Sequence, residues 1–167
     1  MTEDTKEIRK QIRKASEMHG HLGAFLVIGV RIGETAKQIL KVENQQSREL
    51  RVSVKVPLQI PFSCILDGIQ STTHCTIGNQ RLNAKQSRQT ITAQFKTTNS
   101  DNTLTITVNP KIVKELIDKI SKGTPSEILA ETIVSTPRNQ LFKLDVTRKH
   151  PQEESCLTVA RTCAPQD

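Results

Sequence analysis

The chain has 167 residues and a formal net charge of +7, from 24 Lys and Arg against 17 Asp and Glu. That length suits one domain with a real core; with no Trp or Tyr and only four Phe, the core must be aliphatic, and base stacking is so poorly supplied that a nucleic-acid partner is not expected. Four cysteines at irregular spacings make no disulfide framework, residues 1–17 are charged rather than a signal sequence, and no apolar run approaches the roughly 18 residues of a membrane span, so a soluble cytoplasmic chain with reduced thiols and no membrane contact is expected.

Residues 3–18 predict a helix, with Ile8, Ile12 and Ala15 on one stripe and Lys6, Arg9, Lys10, Arg13 and Lys14 facing elsewhere. That basic face reads as a solvated surface or a contact for an acidic partner. Gly20 then breaks the chain between His19 and His21. Residues 22–40 predict a second helix, apolar at Leu22, Phe25, Leu26, Ile28, Ile32, Ala36, Ile39 and Leu40. Gly29 and Gly33 stand one turn apart on it, which suits close packing of another element, and Arg31, Glu34 and Lys37 exclude a membrane helix. A polar loop follows at residues 44–47.

Residues 50–56 alternate, with Leu50, Val52, Val54 and Val56 against Arg51, Ser53 and Lys55, so a strand with one buried face is expected. Pro57 and Pro61 bracket its exit. Residues 63–73 predict a short helix with Ile65, Leu66 and Ile69 inward, residues 75–77 an extended segment, and residues 78–87 a polar loop. Ile91, Ala93 and Phe95, then Leu104, Ile106 and Val108, mark two strands joined by a turn-rich link, an antiparallel hairpin. Residues 110–121 predict a helix ended by Gly123. Thr124 to Glu127 has the pattern of a capping box with Pro125 at the first helical position, for a helix reaching about Ser135 before Pro137. Phe142, Leu144 and Val146 mark a last strand, and the chain from Arg148 on reads as a tail. The whole is expected to be α+β with a mixed sheet, one domain over residues 1–147 and a tail over 148–167.

The residues with chemistry lie in two stretches, His19-Gly20-His21 and residues 61–82, which hold Cys64, Asp67 and Cys75. Imidazole is a common ligand for zinc-like cations, and Gly20 lets two neighbouring rings turn to one site. A capping or core histidine is the plainer alternative. Cys64 is expected near a helix start, where peptide N–H groups and the dipole would favour a thiolate; otherwise it is a small buried apolar residue. Asp67, one turn on, would orient a histidine or bind metal. If residues 64–74 form one straight helix, Cys64 and Cys75 stand on the order of 16 Å apart at 1.5 Å per residue, too far to share one ion. Sharing then needs the chain to double back or a second copy to contribute. Cys156 and Cys163 lack zinc-ribbon spacing and read as incidental. There is no nucleotide-binding glycine loop, G-x-S-x-G or H-E-x-x-H.

His19-Gly20-His21-Leu22-Gly23-Ala24-Phe25 with Gly29, Arg31 and Gly33, then Cys64-x-x-Asp67-Gly68-Ile69-Gln70-x4-Cys75-Thr76-x-Gly78, resembles in order and separation the paired motifs of the formylmethanofuran dehydrogenase E-subunit family. The resemblance covers about residues 5–110. It implies an α-β-α-β-β-β core with a mixed sheet, to which the patterns above add C-terminal helices and a last strand, and a zinc site built from His19, His21, Cys64 and Cys75; His74, a departure from the family, would be a further donor. A homodimer, and a metabolic enzyme as partner in one-carbon or molybdenum/tungsten metabolism, are also implied. A thiol or metal-dependent enzyme using Cys64, and a basic interaction protein with a degenerate site, are the alternatives. Where many members carry Cys and then Pro after the His-Gly-His-Leu run, this chain has Gly23 and Ala24. His74 replaces the usual Gly before the second Cys, Asn79-Gln80-Arg81 replaces a Lys-Gly-Asn run, and the C-terminal zinc finger of some members has no counterpart in these residues.

Overall fold

The fold was analysed in a computed structural model, which describes residues 3–42, 49–98 and 100–148. The expected loop at residues 44–47, Cys156, Cys163 and the tail beyond Arg148 lie outside them. Helices α1 (Glu3–His19) and α2 (Ala24–Leu40) come first, followed by strand β1 (Leu50–Val56) and helix α3 (Cys64–Thr73). Strands β2 (Leu82–Gln86), β3 (Thr92–Thr97) and β4 (Ser100–Val108) follow, then helices α4 (Pro110–Ser121), α5 (Ser126–Ser135) and α6 (Arg138–Leu141) and strand β5 (Phe142–Arg148). The sheet order is β2-β1-β3-β4-β5. β1 and β2 are parallel through the α3 crossover, and the other pairs are antiparallel. The fold is thus α+β with a mixed sheet, and β3 and β4 form the expected hairpin.

β1 shows why this sheet has two unlike faces. Its alternation sends Leu50, Val52, Val54 and Val56 into the core and leaves Arg51 and Lys55 exposed. Ala93, Phe95, Leu104 and Ile106 continue the same buried face across β3 and β4. Against it lies α2, of which residues 24–30 are all buried. Most of its length is apolar, as a central helix requires. Arg31 ties α2 to α5 by donating through one guanidinium nitrogen to the carbonyls of Ile133, Val134 and Thr136 at 2.7–3.1 Å. These belong to the last turn of α5, where carbonyls lack helical partners.

The tightest packing is between α2 and α3. A Cβ added at Gly29 would stand 2.2 Å from the Ile65 carbonyl oxygen, and one at Gly68 would stand 2.3 Å from that of Leu26. At Gly33 it would meet Thr72 Cβ at 2.8 Å. The two helices therefore touch backbone to backbone, which only residues without a side chain permit. The glycine pair expected to suit close packing does so within this chain. That face is filled by α3 and presents no surface to a second copy.

Two local expectations are corrected. Residues 75–77 are a link rather than a strand, and the strand lies inside the expected polar loop, as β2. Leu82 is buried and Ala84 partly so, beside Asn83, Lys85 and Gln86, an alternation too short and too weakly apolar to mark this edge strand. The capping box at Thr124 does not form either. Pro125 is the N-cap of α5 without a side-chain bond, because Thr124 closes the previous helix by donating its N–H to the Lys119 carbonyl at 3.0 Å. The short α6 has no sequence signal of its own.

Substituting Gly29→Ala should destabilise the chain by about 1–3 kcal/mol through overpacking, although Ala is the better helix former by about 1 kcal/mol. Thermal unfolding followed by circular dichroism reads this out, with Gly78→Ala as the control. A Cβ at Gly78 meets nothing nearer than Thr76 Oγ1 at 3.8 Å, so that variant should unfold with the parent. Equal melting of both variants would refute the close crossing.

Candidate functional site

The end of α1, the start of α2 and the first turns of α3 come together at one edge of the helical layer. α1 ends at His19, and Gly20, at φ 91°, donates its N–H back to the Ser16 carbonyl at 2.9 Å. That left-handed residue turns the chain out of the helix, as glycine does at a helix end. Gly23 is the N-cap of α2. Phe62, in the turn leading into α3, packs edge-on against Phe25 of α2 with ring centroids 5.2 Å apart.

Across this junction His19 Nδ1 lies 2.7 Å from Asp67 Oδ2. The side chain of His19 is 16% exposed and that of Asp67 38%, so the bond is partly shielded from water. A carboxylate can only accept, so Nδ1 carries a proton, and in the neutral ring Nε2 keeps its lone pair. The other oxygen, Asp67 Oδ1, accepts from Gln70 Nε2 at 3.1 Å, and Gln70 Oε1 in turn accepts from the Ile77 N–H at 3.4 Å. The His21 ring stands 5.4 Å from that of His19, tilted by 42°. It lies against Gly23, where an added Cβ would be 3.1 Å from both Cε1 and Nε2. Glycine at position 23 thus gives the His21 ring its place.

Cys64 and Asp67 share the first turn of α3, but the expected thiolate is not favoured. Amide groups at the helix start are engaged by the turn before it, although the Cys64 N–H still favours its own thiolate. Cys64, Ile65 and Leu66 donate their N–H groups to the carbonyls of Pro61, Phe62 and Ser63 at 3.0–3.3 Å. Partial burial pushes the Cys64 thiol up, the Asp67 carboxylate adds to that, and a backbone hydrogen bond opposes them to a smaller degree.

Cys75 is elsewhere. α3 is continuous from Cys64 to Thr73, a length of about 15 Å at 1.5 Å per residue, and Cys75 lies beyond its far end. Its buried thiol donates to the Leu50 carbonyl at 3.1 Å, and burial again raises it. His74 is the left-handed C-cap of α3, at φ 56°, with its N–H on the Gln70 carbonyl and its side chain exposed. The structure thus gathers His19, His21 and Asp67, keeps Cys64 one turn from Asp67, and sets Cys75 at the opposite end of α3. Among the described residues no group of three or more His, Cys, Asp and Glu side chains is arranged to hold a metal ion.

Asp67 is legible in the sequence as an orienter of histidine. Sequence reasoning missed Gln70 as its second partner, although the three-residue spacing on a helix carries the signal. Thr76 and Asn79 have a structural part. Each side-chain oxygen accepts from the other's N–H, at 3.1 and 3.0 Å, and this closes the turn that leads into β2.

Residues 18–149 match the family described as FmdE, Molybdenum formylmethanofuran dehydrogenase operon. The chain belongs to the FmdE family. A crystal structure of a tungsten formylmethanofuran dehydrogenase FmdE-like protein from Syntrophus aciditrophicus shares the fold with a TM-score of 0.55 and 15% identity, over 86% of this chain and 73% of that one. A probable S-adenosyl-L-methionine-binding protein of Archaeoglobus fulgidus is 30% identical over 76 residues, which are 46% of this chain and 20% of that protein. The chain thus spans about a fifth of that relative's length. No helix among the described residues is long and apolar enough to cross a membrane.

A raised Cys64 thiol predicts slow alkylation. Iodoacetamide at about pH 7.5 should modify Cys64 more slowly in the native chain than in the urea-unfolded one, and faster as pH rises, because the thiolate is the reactive form. Asp67→Asn removes the carboxylate that adds to the shift, so modification should speed up. Peptide mass spectrometry separates Cys64 from the other thiols. Faster modification in the native chain would contradict the geometry.

Proposed function

We propose that this chain is a cytoplasmic metal-binding module of the FmdE family, with zinc as the cation its donors suit. It would act beside a formylmethanofuran dehydrogenase or a related one-carbon enzyme of molybdenum or tungsten rather than carry the redox step. The family membership supports the enzymatic context, and the free Cys64 and Cys75 suit a reducing compartment. The observation that carries metal binding is the hydrogen bond from His19 Nδ1 to Asp67 Oδ2 at 2.7 Å. A carboxylate behind an imidazole is the arrangement that fixes ligand histidines and raises their basicity. His19 would bind through Nε2, with His21 beside it, while Gln70 holds the carboxylate from its other oxygen.

Two imidazoles do not complete a zinc shell, which takes four donors. Among the described residues Cys64 is the thiol that shares a helical turn with Asp67, and water, a substrate or a second copy of the chain would supply the rest. A bound cation offers a Lewis acid or a site for an anionic group. A homodimer remains part of the proposal through the family resemblance alone, now that α3 fills the Gly29/Gly33 face. The reading as a thiol enzyme loses ground, since partial burial and Asp67 push the Cys64 thiol up, away from the thiolate a nucleophile needs. The ligand in the name of the Archaeoglobus relative is not carried over from a match to a fifth of it.

Zinc bound per chain, measured by elemental mass spectrometry after dialysis of tag-free protein, tests the proposal. The parent should retain about one ion per chain and bind it more tightly at about pH 8 than at about pH 6, because protons compete for imidazole and thiol donors. His19→Ala and His21→Ala should each lose it, and Asp67→Asn should weaken it roughly 10–100-fold. Equal zinc in the parent and a His19→Ala/His21→Ala double variant would overturn it.

A further inference from the structure

The face of the sheet away from the helices is polar, and three of its strands are basic. Across the antiparallel β1–β3 pair, Arg51 stands opposite Lys96, and across the parallel β1–β2 pair, Lys55 stands opposite Lys85. All four are exposed. Like charges directly opposite one another weaken a sheet, yet none of the four has an ion pair among the described residues. Among the residues paired in register on this face, the acidic side chain is Asp145, on the far strand β5 and 3.7 Å from Lys143.

Between the two cationic rows runs a neutral one. Asn83, Ser53 and Gln94 lie side by side across β2, β1 and β3, each able to donate or accept hydrogen bonds. Adjacent rows are about 6.6–6.8 Å apart along the strands, two residues at the usual rise, so the two cationic rows stand about 13 Å apart. Here the sheet surface and the turn at Gln80 form an open hollow of about 370 Å³, lined by Arg51, Arg81, Lys85 and Lys96 and, among the described residues, by no carboxylate. That volume is in the range of a small-molecule site.

We propose that this hollow binds a small ligand carrying two or more linked phosphate groups. The Arg51–Lys96 row would hold one end of the anion, with Arg51 offering a bidentate fork, Lys85 would reach the other end, and the neutral row would orient the oxygens between them. The repulsion between paired cations is relieved when the anion is present, which accounts for a charge arrangement that the sheet alone disfavours. A single-stranded nucleic acid fits less well, because no aromatic residue on this face is available for base stacking: the side chain of Phe95 on β3 is buried on the opposite face. This site is separate from the His19–Asp67 junction and does not depend on the metal reading.

Titration of the full chain with inorganic triphosphate by calorimetry, at about 0.15 M salt where distant charges are screened, tests the proposal. A poly-glutamate peptide and a poly-uridine strand serve as comparison ligands. Triphosphate should bind saturably, and Lys85→Glu/Lys96→Glu should weaken it at least roughly tenfold, a loss in the range of charge-assisted contacts, whereas Lys114→Glu/Lys119→Glu on α4 should not. Lys96→Glu alone should also raise Tm, because it places an acid opposite Arg51. The combination of weaker binding with higher Tm is one that a merely structural role for Lys96 would not give. Equal weakening by the two double variants, tighter binding of the peptide or the polynucleotide than of triphosphate, or a lower Tm for Lys96→Glu would each overturn it.

Discussion

The structure depends on the contact between α2 and α3, where Gly29 and Gly68 let two helix backbones meet. The Ile65 and Leu26 carbonyls occupy the space that side chains would need. Such a contact fixes both the distance and the rotation of the helices, because there is no flexible side chain between them to adjust. Thr72 and Thr73 bond their hydroxyls to carbonyls of their own helix, Gly68 and Ile69. These residues thus present methyl groups rather than polar atoms to α2. The rest of the layer is arranged about this pair: α2 lies on the sheet, α5 is held to it by Arg31, and α1 packs across both α2 and α3.

The position of the site follows. Once α3 is seated on α2, its first turn is set beside the end of α1, and Asp67 faces His19. A small rotation of α3 would move a carboxylate off an imidazole, so the close crossing and the His19–Asp67 bond belong to one arrangement. Asp67 and Gly68 are neighbours in sequence for that reason: one residue makes the contact, and the next one permits the approach. The same turn bears Cys64, whose thiol is pushed up by the burial and the carboxylate that this packing brings.

Much of this is legible in the residues. The alternation in β1 and the hairpin strands marks the sheet, the apolar length of α2 marks the central helix, and Gly29 with Gly33 announces a close neighbour without saying which. The pairing of Asp67 with a histidine can be suspected from residue type. Its partner cannot be chosen, since that choice depends on how α3 rotates on α2. β2 is hidden because an edge strand with only Leu82 and the small Ala84 inward has too short a period to read. Its loss also hides the basic face, since Lys85 and Asn83 gain meaning only when set in register beside Lys55 and Ser53. A thiolate at Cys64 follows from its place at a helix start, but sequence does not show that packing half-buries the thiol and sets Asp67 beside it. The resemblance in motif order matches the family, while ligand roles at Cys75 and His74 meet a buried hydrogen bond and a helix cap.

The most direct test is the tautomer of His19, read from imidazole ¹⁵N shifts in the full chain, with the rings assigned through single histidine substitutions. The α2–α3 crossing places Asp67 against Nδ1, so the neutral His19 ring should carry its proton on Nδ1 and leave Nε2 bare. A ring protonated on Nε2, or one that samples both tautomers as a free imidazole does, would contradict the arrangement of helices and carboxylate on which the site depends.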